Sequence, residues 1–372
     1  MMQETPWYQI TDVDTLDSPA LVVFPDRVRQ NVDRLITAID DPSRLRPHVK
    51  THKSREATQL MLAAGIRKFK CATIAEAEML AMVGAPDVLL AYQPVGAKQQ
   101  RLIELIETYS DTAFSCLVDN LTTAQQLSER AVGAGVTVPV YIDLNVGMNR
   151  TGTAPDDTVL TLYTDLSQLP GVRPVGLHAY DGHIRNPDLA ERTAVCDAAF
   201  APVQQLADTL AARGFDQPVI VAGGSPTFPI HARRQDVECS PGTFIYWDYG
   251  YGTTLAEQPF LHAALVITRV ISRPDATKLC LDLGHKSIAA ESDLEHRVKF
   301  LNAPDLRPVG QSEEHLVVEA GPGHGFEIGD VLYGLPNHIC PTCALYERAH
   351  TIENGRVTGE WRTIARDRLI YH

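Results

Sequence analysis

The sequence predicts an α/β chain made of a (β/α)8 TIM-type barrel and a second, mostly antiparallel β domain. Two patterns predict it. Short apolar runs recur at roughly 30-residue intervals over the first two thirds of the chain, the spacing of strand-plus-helix units. Beyond about residue 252 helix-like stretches nearly vanish while β-like runs continue.

The eight barrel runs are ALVVF (20–24), LRPHVK (45–50), FKCAT (69–73), VLLAYQ (88–93), FSCLVD (114–119), VPVYIDLN (138–145), PVGLHAY (174–180) and PVIVAGG (218–224). Between them lie SREATQLMLAAG (54–65), IAEAEMLAMVG (74–84) and LTTAQQLSERAVGAG (121–135), rich in Ala, Leu, Glu and Gln and closed by Gly, as helices are. The later runs ALVITRVISR (264–273), KLCLDLG (278–284), HLVVEA (315–320) and DVLYGLP (330–336) read as strands, and TIENGRVTGEW (351–361) carries an Asn-Gly hairpin signal. The expected division is a barrel over 16–252 and a β domain over 253–372, with residues 1–15 packed on the latter. No Pro-rich linker separates them.

Composition narrows the function. A chain of 372 residues with 33 basic against 46 acidic side chains carries a formal charge of −13, and no run of like charge offers itself to a phosphate backbone. Nucleic acid is therefore not expected. There is no basic-then-apolar leader and no stretch of eighteen apolar residues, which predicts a cytoplasmic protein without a membrane partner. Seven scattered cysteines form an odd number, which argues against a disulfide framework.

The chemistry concentrates in a few strings. Arg46-Pro47-His48-Val49-Lys50-Thr51-His52-Lys53 ends the second run, where barrels place catalytic side chains. Strand alternation puts His48, Lys50 and His52 on one face and turns Lys53 away, so Lys50 is a candidate amine nucleophile. The residues alone also read as a basic loop that binds an anion or solvent, and on local sequence that is the more frequent case. Phosphate is held by backbone N–H groups at Gly/Ser/Thr turns, and two such turns exist: Gly223-Gly224-Ser225-Pro226-Thr227 and Ser240-Pro241-Gly242-Thr243. In Pro336-Asn337-His338-Ile339-Cys340-Pro341-Thr342-Cys343, an extended strand would point His338 and Cys340 to one side. That imidazole and thiolate suit a borderline-soft ion such as Zn²⁺. Buried cysteines without a metal, half of a structural zinc site, or a redox Cys-x-x-Cys remain alternatives, and Cys343 has no assigned role.

The RPHxKTHK string, followed by KFKCATIAEAEML (68–80), resembles the D-threonine aldolase and D-serine dehydratase family. These are fold-type III pyridoxal-phosphate enzymes whose barrel is similar to the N-terminal domain of alanine racemase. The resemblance extends over nearly the whole chain. It implies that Lys50 is the Schiff-base lysine of pyridoxal 5′-phosphate, whose conjugated ring is the electron sink for a carbanion at Cα.

Other roles follow from the same resemblance. Asp143-Leu144-Asn145-Val146-Gly147-Met148-Asn149-Arg150-Thr151-Gly152 resembles the MxRxG string, placing Arg150 beside the cofactor ring or its phenolic oxygen. Tyr180 is a candidate cofactor contact and His183 a candidate acid or base, though a packed tyrosine and a solvated histidine fit the local sequence as well. Gly224, Ser225, Gly242 and Thr243 fall where similar enzymes hold the phosphate. The dehydratase branch carries a His-x-Cys zinc pair, as His338 and Cys340 here, whereas the aldolase branch more often has His-x-Asp. Zinc is expected, with manganese as the alternative. Glu313, Glu314 and His315 lie in a string that also resembles the family, and a charged turn explains them equally well.

The expected activity is that of a metal-assisted lyase on a small β-hydroxy-D-amino acid, dehydration being favoured over retro-aldol cleavage to glycine and an aldehyde. A non-catalytic cofactor carrier and a racemase are the other classes. The carrier would need no β domain, and the racemase no metal. The resemblance also implies a homodimer.

Overall fold

The structure, a computed structural model, describes residues 6–370; of the expected domain ranges, residues 1–5 and 371–372 lie outside the described residues. The chain forms two compact units. One comprises Leu35–Lys50, Thr58–Gly242 and the residues from Asp367, and the other the residues through Arg34, Thr51–Ala57 and Thr243–Arg366.

Strand β1 (Ala20–Val23) lies outside the barrel. It pairs antiparallel with β9 (Ala264–Ser272) and parallel with β15 (Arg348–Glu353). Run 20–24, expected as the first barrel strand, is therefore a strand of the second sheet. All four residues of β1 are buried, and a strand with two apolar faces fits the middle of either sheet, so periodicity could not place it.

In the barrel unit, β2 (Lys68–Cys71), β3 (Asp87–Leu90), β4 (Ala113–Val118), β5 (Val138–Leu144), β6 (Val172–Ala179), β7 (Val219–Ala222) and β8 (Val237–Cys239) form one parallel sheet in chain order. The eighth position belongs to residues 45–48, which bridge both edges through Leu45 to Cys239 and His48 to Lys70. Arg46 N–H donates to Cys239 O and Lys70 N–H to Pro47 O. Pro47 cannot donate, so this stave is a pair of bridges rather than a regular strand. Leu89, Leu117, Tyr141 and Val221 pack inside the sheet. The intervening helices start on side-chain caps: Thr73 for Ile74–Met82, Asn120 for Leu121–Gly133 and Asp188 for Leu189–Ala212 each accept a backbone N–H from the first turn. These caps place each helix start close behind the strand end that carries the chemistry.

The second unit is built around β9. In it β10 (Lys278–Leu281), β11 (Val298–Phe300), β12 (Arg307–Gln311), β13 (Leu316–Glu319), β14 (Val331–Pro336) and β16 (Arg356–Arg362) complete the sheet. Its path runs β12-β13-β10-β9-β1-β15-β16, with β14 joining β9 to β11. Every pair except β1 with β15 is antiparallel. Leu16, Val22, Phe24, Leu265, Ile267, Leu335 and Ile352 form its core, each worth roughly 1.5–3 kcal/mol when withdrawn from water. The Asn-Gly signal is correct: Asn354 and Gly355 both have positive φ, +51° and +70°, as a type I′ turn requires. Among the described residues no helix is long and apolar enough to cross a membrane.

Candidate active site

The barrel stave ends at His48, and the chain turns there instead of continuing extended. Lys50 N–H donates to His48 Nδ1 at 3.2 Å, a local side-chain bond that competes with strand geometry. The expected alternation of His48, Lys50 and His52 along one strand therefore does not hold. His52 lies in the other unit, is fully buried, and accepts the Ser54 N–H through Nδ1.

Lys50 Nζ stands 5.7 Å from the centroid of the Tyr180 ring, and the guanidinium carbon of Arg150 stands 5.0 Å from the same ring. Three residues chosen from sequence thus meet at one aromatic ring. A third cation joins them: Lys70 Nζ is 5.6 Å from that centroid. Lys70 is 2% exposed and is turned inward from β2. Its Nζ lies 3.2 Å from His178 Nε2, and His178 Nδ1 lies 2.7 Å from Asp143 Oδ1. The pairing register of β5 with β6 sets Asp143 opposite His178. Burial, then the positive charge of Lys50, brings the Lys70 amine down to about 7. Burial and the neighbouring Lys70 likewise disfavour the protonated form of His178, while the hydrogen bond from His178 keeps Asp143 ionised against its own burial.

Lys70, His178 and Asp143 had no role assigned from sequence. Their signal was present: a lysine, a histidine and a carboxylate at interior strand positions cost free energy unless they meet one another or a ligand.

The two glycine turns lie beside this cluster. A Cβ on Gly224 would sit 3.1 Å from Tyr180 Cε2, so the turn passes tightly against the ring. Gly242 N–H donates to Ser225 Oγ at 3.3 Å, tying the two turns together. Ser240 Oγ is buried and has no hydrogen-bond partner among the described residues. An orphaned hydroxyl at this turn, which Gly242 ties through Ser225 to the glycine turn passing the Tyr180 ring, fits an anionic aromatic ligand such as pyridoxal 5′-phosphate. Thr243 belongs to the other unit, where its Oγ1 is 3.7 Å from Cys340 Sγ. His183 is exposed, with its ring over Gly147, where a Cβ would come within 2.6 Å of Nε2.

Behind the first glycine turn, Asp181 accepts from Thr227 Oγ1 at 2.7 Å, and Thr227 Oγ1 accepts the Gly224 N–H at 3.3 Å. Asp181, Cys196 and His231 also bring three ligand-type atoms within 4.8 Å of one another. Arg234 lies 2.9 Å from His231 Nδ1 and can only donate, so Nδ1 accepts and the ring proton sits on Nε2, facing Asp181 Oδ2 at 2.8 Å. That tautomer satisfies the triad by hydrogen bonding and leaves no imidazole lone pair for a metal.

In the β unit, β14 ends at Pro336, and His338 is the N-cap of the helix Ile339–Leu345. The extended-strand reasoning for His338 and Cys340 is therefore corrected: the pair sits on a helix start, because the Asp248 carboxylate accepts the Ile339 N–H and turns the chain there. The two side chains still meet, hydrogen-bonded to each other. His338 Nδ1 is 2.5 Å from Glu291 Oε1, which leaves Nε2 on the Cys340 side, the orientation a second carboxylate gives to a metal-ligating imidazole. Thr51, the residue after Lys50, lies 3.1 Å from Cys340 Sγ through its Oγ1. The N/S pair thus fits a zinc-type ion. Lys286 pairs with Glu313 and Glu314, and His315 O accepts the Ser312 N–H, so this string is held as a charged turn.

Residues 23–250 match the family model of the alanine racemase N-terminal domain. The chain belongs to this family. Its residues 263–352 match the model described as "Putative serine dehydratase domain". D-threonine aldolase of Arthrobacter sp is 29% identical over 357 residues, covering 94% of this chain and 93% of that protein. D-threo-3-hydroxyaspartate dehydratase of Delftia sp. (strain HT23) is 27% identical over 361 residues, covering 89% and 93%. The crystal structure of D-threonine aldolase from Filomicrobium marinum superimposes with a TM-score of 0.88 at 27% identity, covering 96% of this chain and 98% of that one. The barrel with a second β domain read from the sequence is this alanine racemase-like architecture.

Proposed function

We propose that this chain is a metal-assisted, pyridoxal-phosphate-dependent lyase that converts a small β-hydroxy-D-amino acid to a 2-oxo acid and ammonia. The coarse class, a pyridoxal-phosphate lyase, rests on full-length similarity to aldolases and dehydratases. The observation that carries the site is the grouping of Lys50, Arg150 and Lys70 around the Tyr180 ring.

Bound pyridoxal phosphate would supply an electron-withdrawing ring that stabilises negative charge at Cα. In this reading Lys50 is the amine that holds the cofactor and afterwards exchanges a proton at Nζ, while Arg150 and Tyr180 fix the ring plane. The turns Gly224–Ser225 and Gly242–Thr243 present N–H groups to the phosphate, with Ser240 Oγ as a further donor. His183 is a proton-exchanging candidate from the exposed side. His338 and Cys340 would hold zinc or manganese, which supplies Lewis acidity toward a β-hydroxyl. The substrate loses hydroxide from Cβ and a proton from Cα, and water then releases ammonia.

The thiolate ligand of the His-x-Cys pair supports dehydration. A second reading, retro-aldol cleavage to glycine and an aldehyde, is favoured by the similarity to two D-threonine aldolases. Incubating the purified enzyme with D-serine, D-threonine and 3-hydroxy-D-aspartate, plus zinc or manganese, distinguishes them. A 2-oxo acid supports the proposal, glycine with an aldehyde supports the second reading, and no product from any of the three contradicts both.

A further inference from the structure

Lys70 is a buried amine without a carboxylate of its own. Among the described residues Nζ is hydrogen-bonded only to the ring nitrogen of His178, and of the charges around it the strongest influence is that of Lys50, followed by Asp143 and Asp181 and then Arg46. From the stave before β2 come Lys50 and, further off, Arg46; from β5 comes Asp143; from the end of β6 come His178, Tyr180 and Asp181, with Arg150 over the same ring. Asp143 reaches Lys70 through His178 rather than directly. Lys70 itself lies where water cannot offset its charge, whereas Lys50 is half-buried, Arg150 is exposed, and the charge of Arg46 is met by Glu238 and Asp87.

Such a site has two ways to lower its free energy. Lys70 can give up its proton, or an anion can enter. The hydrogen-bond chain permits the first without rearrangement. His178 Nδ1–H remains on Asp143 whether the shared proton sits on Lys70 Nζ or on His178 Nε2. Burial brings the Lys70 amine down to about 7, so without a bound anion it would be largely neutral above that pH.

We propose that Lys70 binds the negative charge of the ligand that enters the Lys50–Tyr180–Arg150 cluster, and that it takes up a proton as that anion binds. Ligand entry turns the neutral amine into an ammonium, and the pair formed holds the anionic ring in the pocket while Lys50 stays available for covalent chemistry. The inference rests on the reading of this cluster as a pyridoxyl-phosphate site and adds a second lysine to it, one that binds by charge and forms no covalent bond.

Pyridoxine 5′-phosphate tests this apart from Lys50, because it carries an alcohol where the cofactor has an aldehyde and cannot condense with an amine. Its binding to the cofactor-stripped, full-length enzyme is followed calorimetrically at about pH 8, a unit above the Lys70 value, in two buffers of different ionisation enthalpy, so that the proton count is read directly. The wild type should take up close to one proton more per site than Lys70→Met, and the variant should bind at least tenfold more weakly. Lys70→Arg, which cannot lose its proton, should bind without that uptake and should keep more of the affinity than Lys70→Met. Binding by the wild type without proton uptake, or with uptake unchanged in Lys70→Met, overturns the role of Lys70 while leaving the cofactor site intact. Failure of the wild type to bind either pyridoxine 5′-phosphate or pyridoxal 5′-phosphate overturns both.

Discussion

Arg46 donates from Nε to Glu238 Oε2 at 2.6 Å, joining the irregular eighth stave to β8 by a charge pair whose arginine is 1% exposed. The same guanidinium reaches Asp87 of β3 at 2.6 Å, and Lys68 of β2 shares Glu238. With Pro47 removing a backbone donor next to it, the stave that carries Lys50 is held by this network as much as by its two bridges.

Arg46→Met should therefore lower unfolding stability by about 3–5 kcal/mol, because Glu238 loses its buried partner and keeps only the half-exposed Lys68. Urea denaturation of variant and wild type measures it. A loss below about 1 kcal/mol would mean that backbone bridges and packing alone close the barrel.

Cys340→Ala should retain pyridoxal phosphate, seen by its visible absorbance, and lose both bound metal and turnover. Cys340 and Lys50 belong to different compact units, so removing the thiol leaves the cofactor cluster intact. Turnover that persists in a variant shown by elemental analysis to hold no metal would contradict the metal's part in the reaction.

Much of this was legible beforehand, and the misses share a cause. Lys50, Arg150 and Tyr180 stand at strand ends in strings of fixed spacing, and the structure brings them to one ring. The hairpin at Asn354-Gly355 was legible because only a left-handed pair makes that turn. Run 20–24 was misplaced because burial on both faces erases the period that would tell one sheet from another. His338 and Cys340 do come together, but on a helix cap set by distant Asp248 rather than along a strand. Lys70, His178 and Asp143 form their chain only when β2, β5 and β6 curl together, and no local pattern reports that closure.

His52 gives a pH-dependent stability term. Burial drives its pKa from 6.5 down to about 3, and Nε2 has no partner among the described residues. The folded value is depressed, so its contribution is complete above 6.5 and is lost as pH falls from there toward 3. Between pH 6.5 and 5 the wild type should lose about 2 kcal/mol from this residue. His52→Asn, which keeps an acceptor for the Ser54 N–H, should show a flatter dependence in thermal unfolding across that range. An identical slope in both proteins would show that His52 does not titrate as its burial requires.

Asp181→Asn should weaken pyridoxal phosphate retention about tenfold, since the carboxylate orients Thr227, which in turn accepts the Gly224 N–H of the glycine turn. Equilibrium dialysis of the cofactor measures it. Unchanged retention would remove the Gly223–Thr227 turn from the phosphate site.

The most direct test of the account is chemical trapping of the cofactor. Borohydride reduction of the cofactor-loaded enzyme, followed by peptide mapping, should place a pyridoxyl group on Lys50 alone, and Lys50→Ala should lose the label together with the yellow absorbance. A label on Lys70, Lys53 or any other lysine, or no label at all, would contradict the assignment on which the proposed chemistry depends.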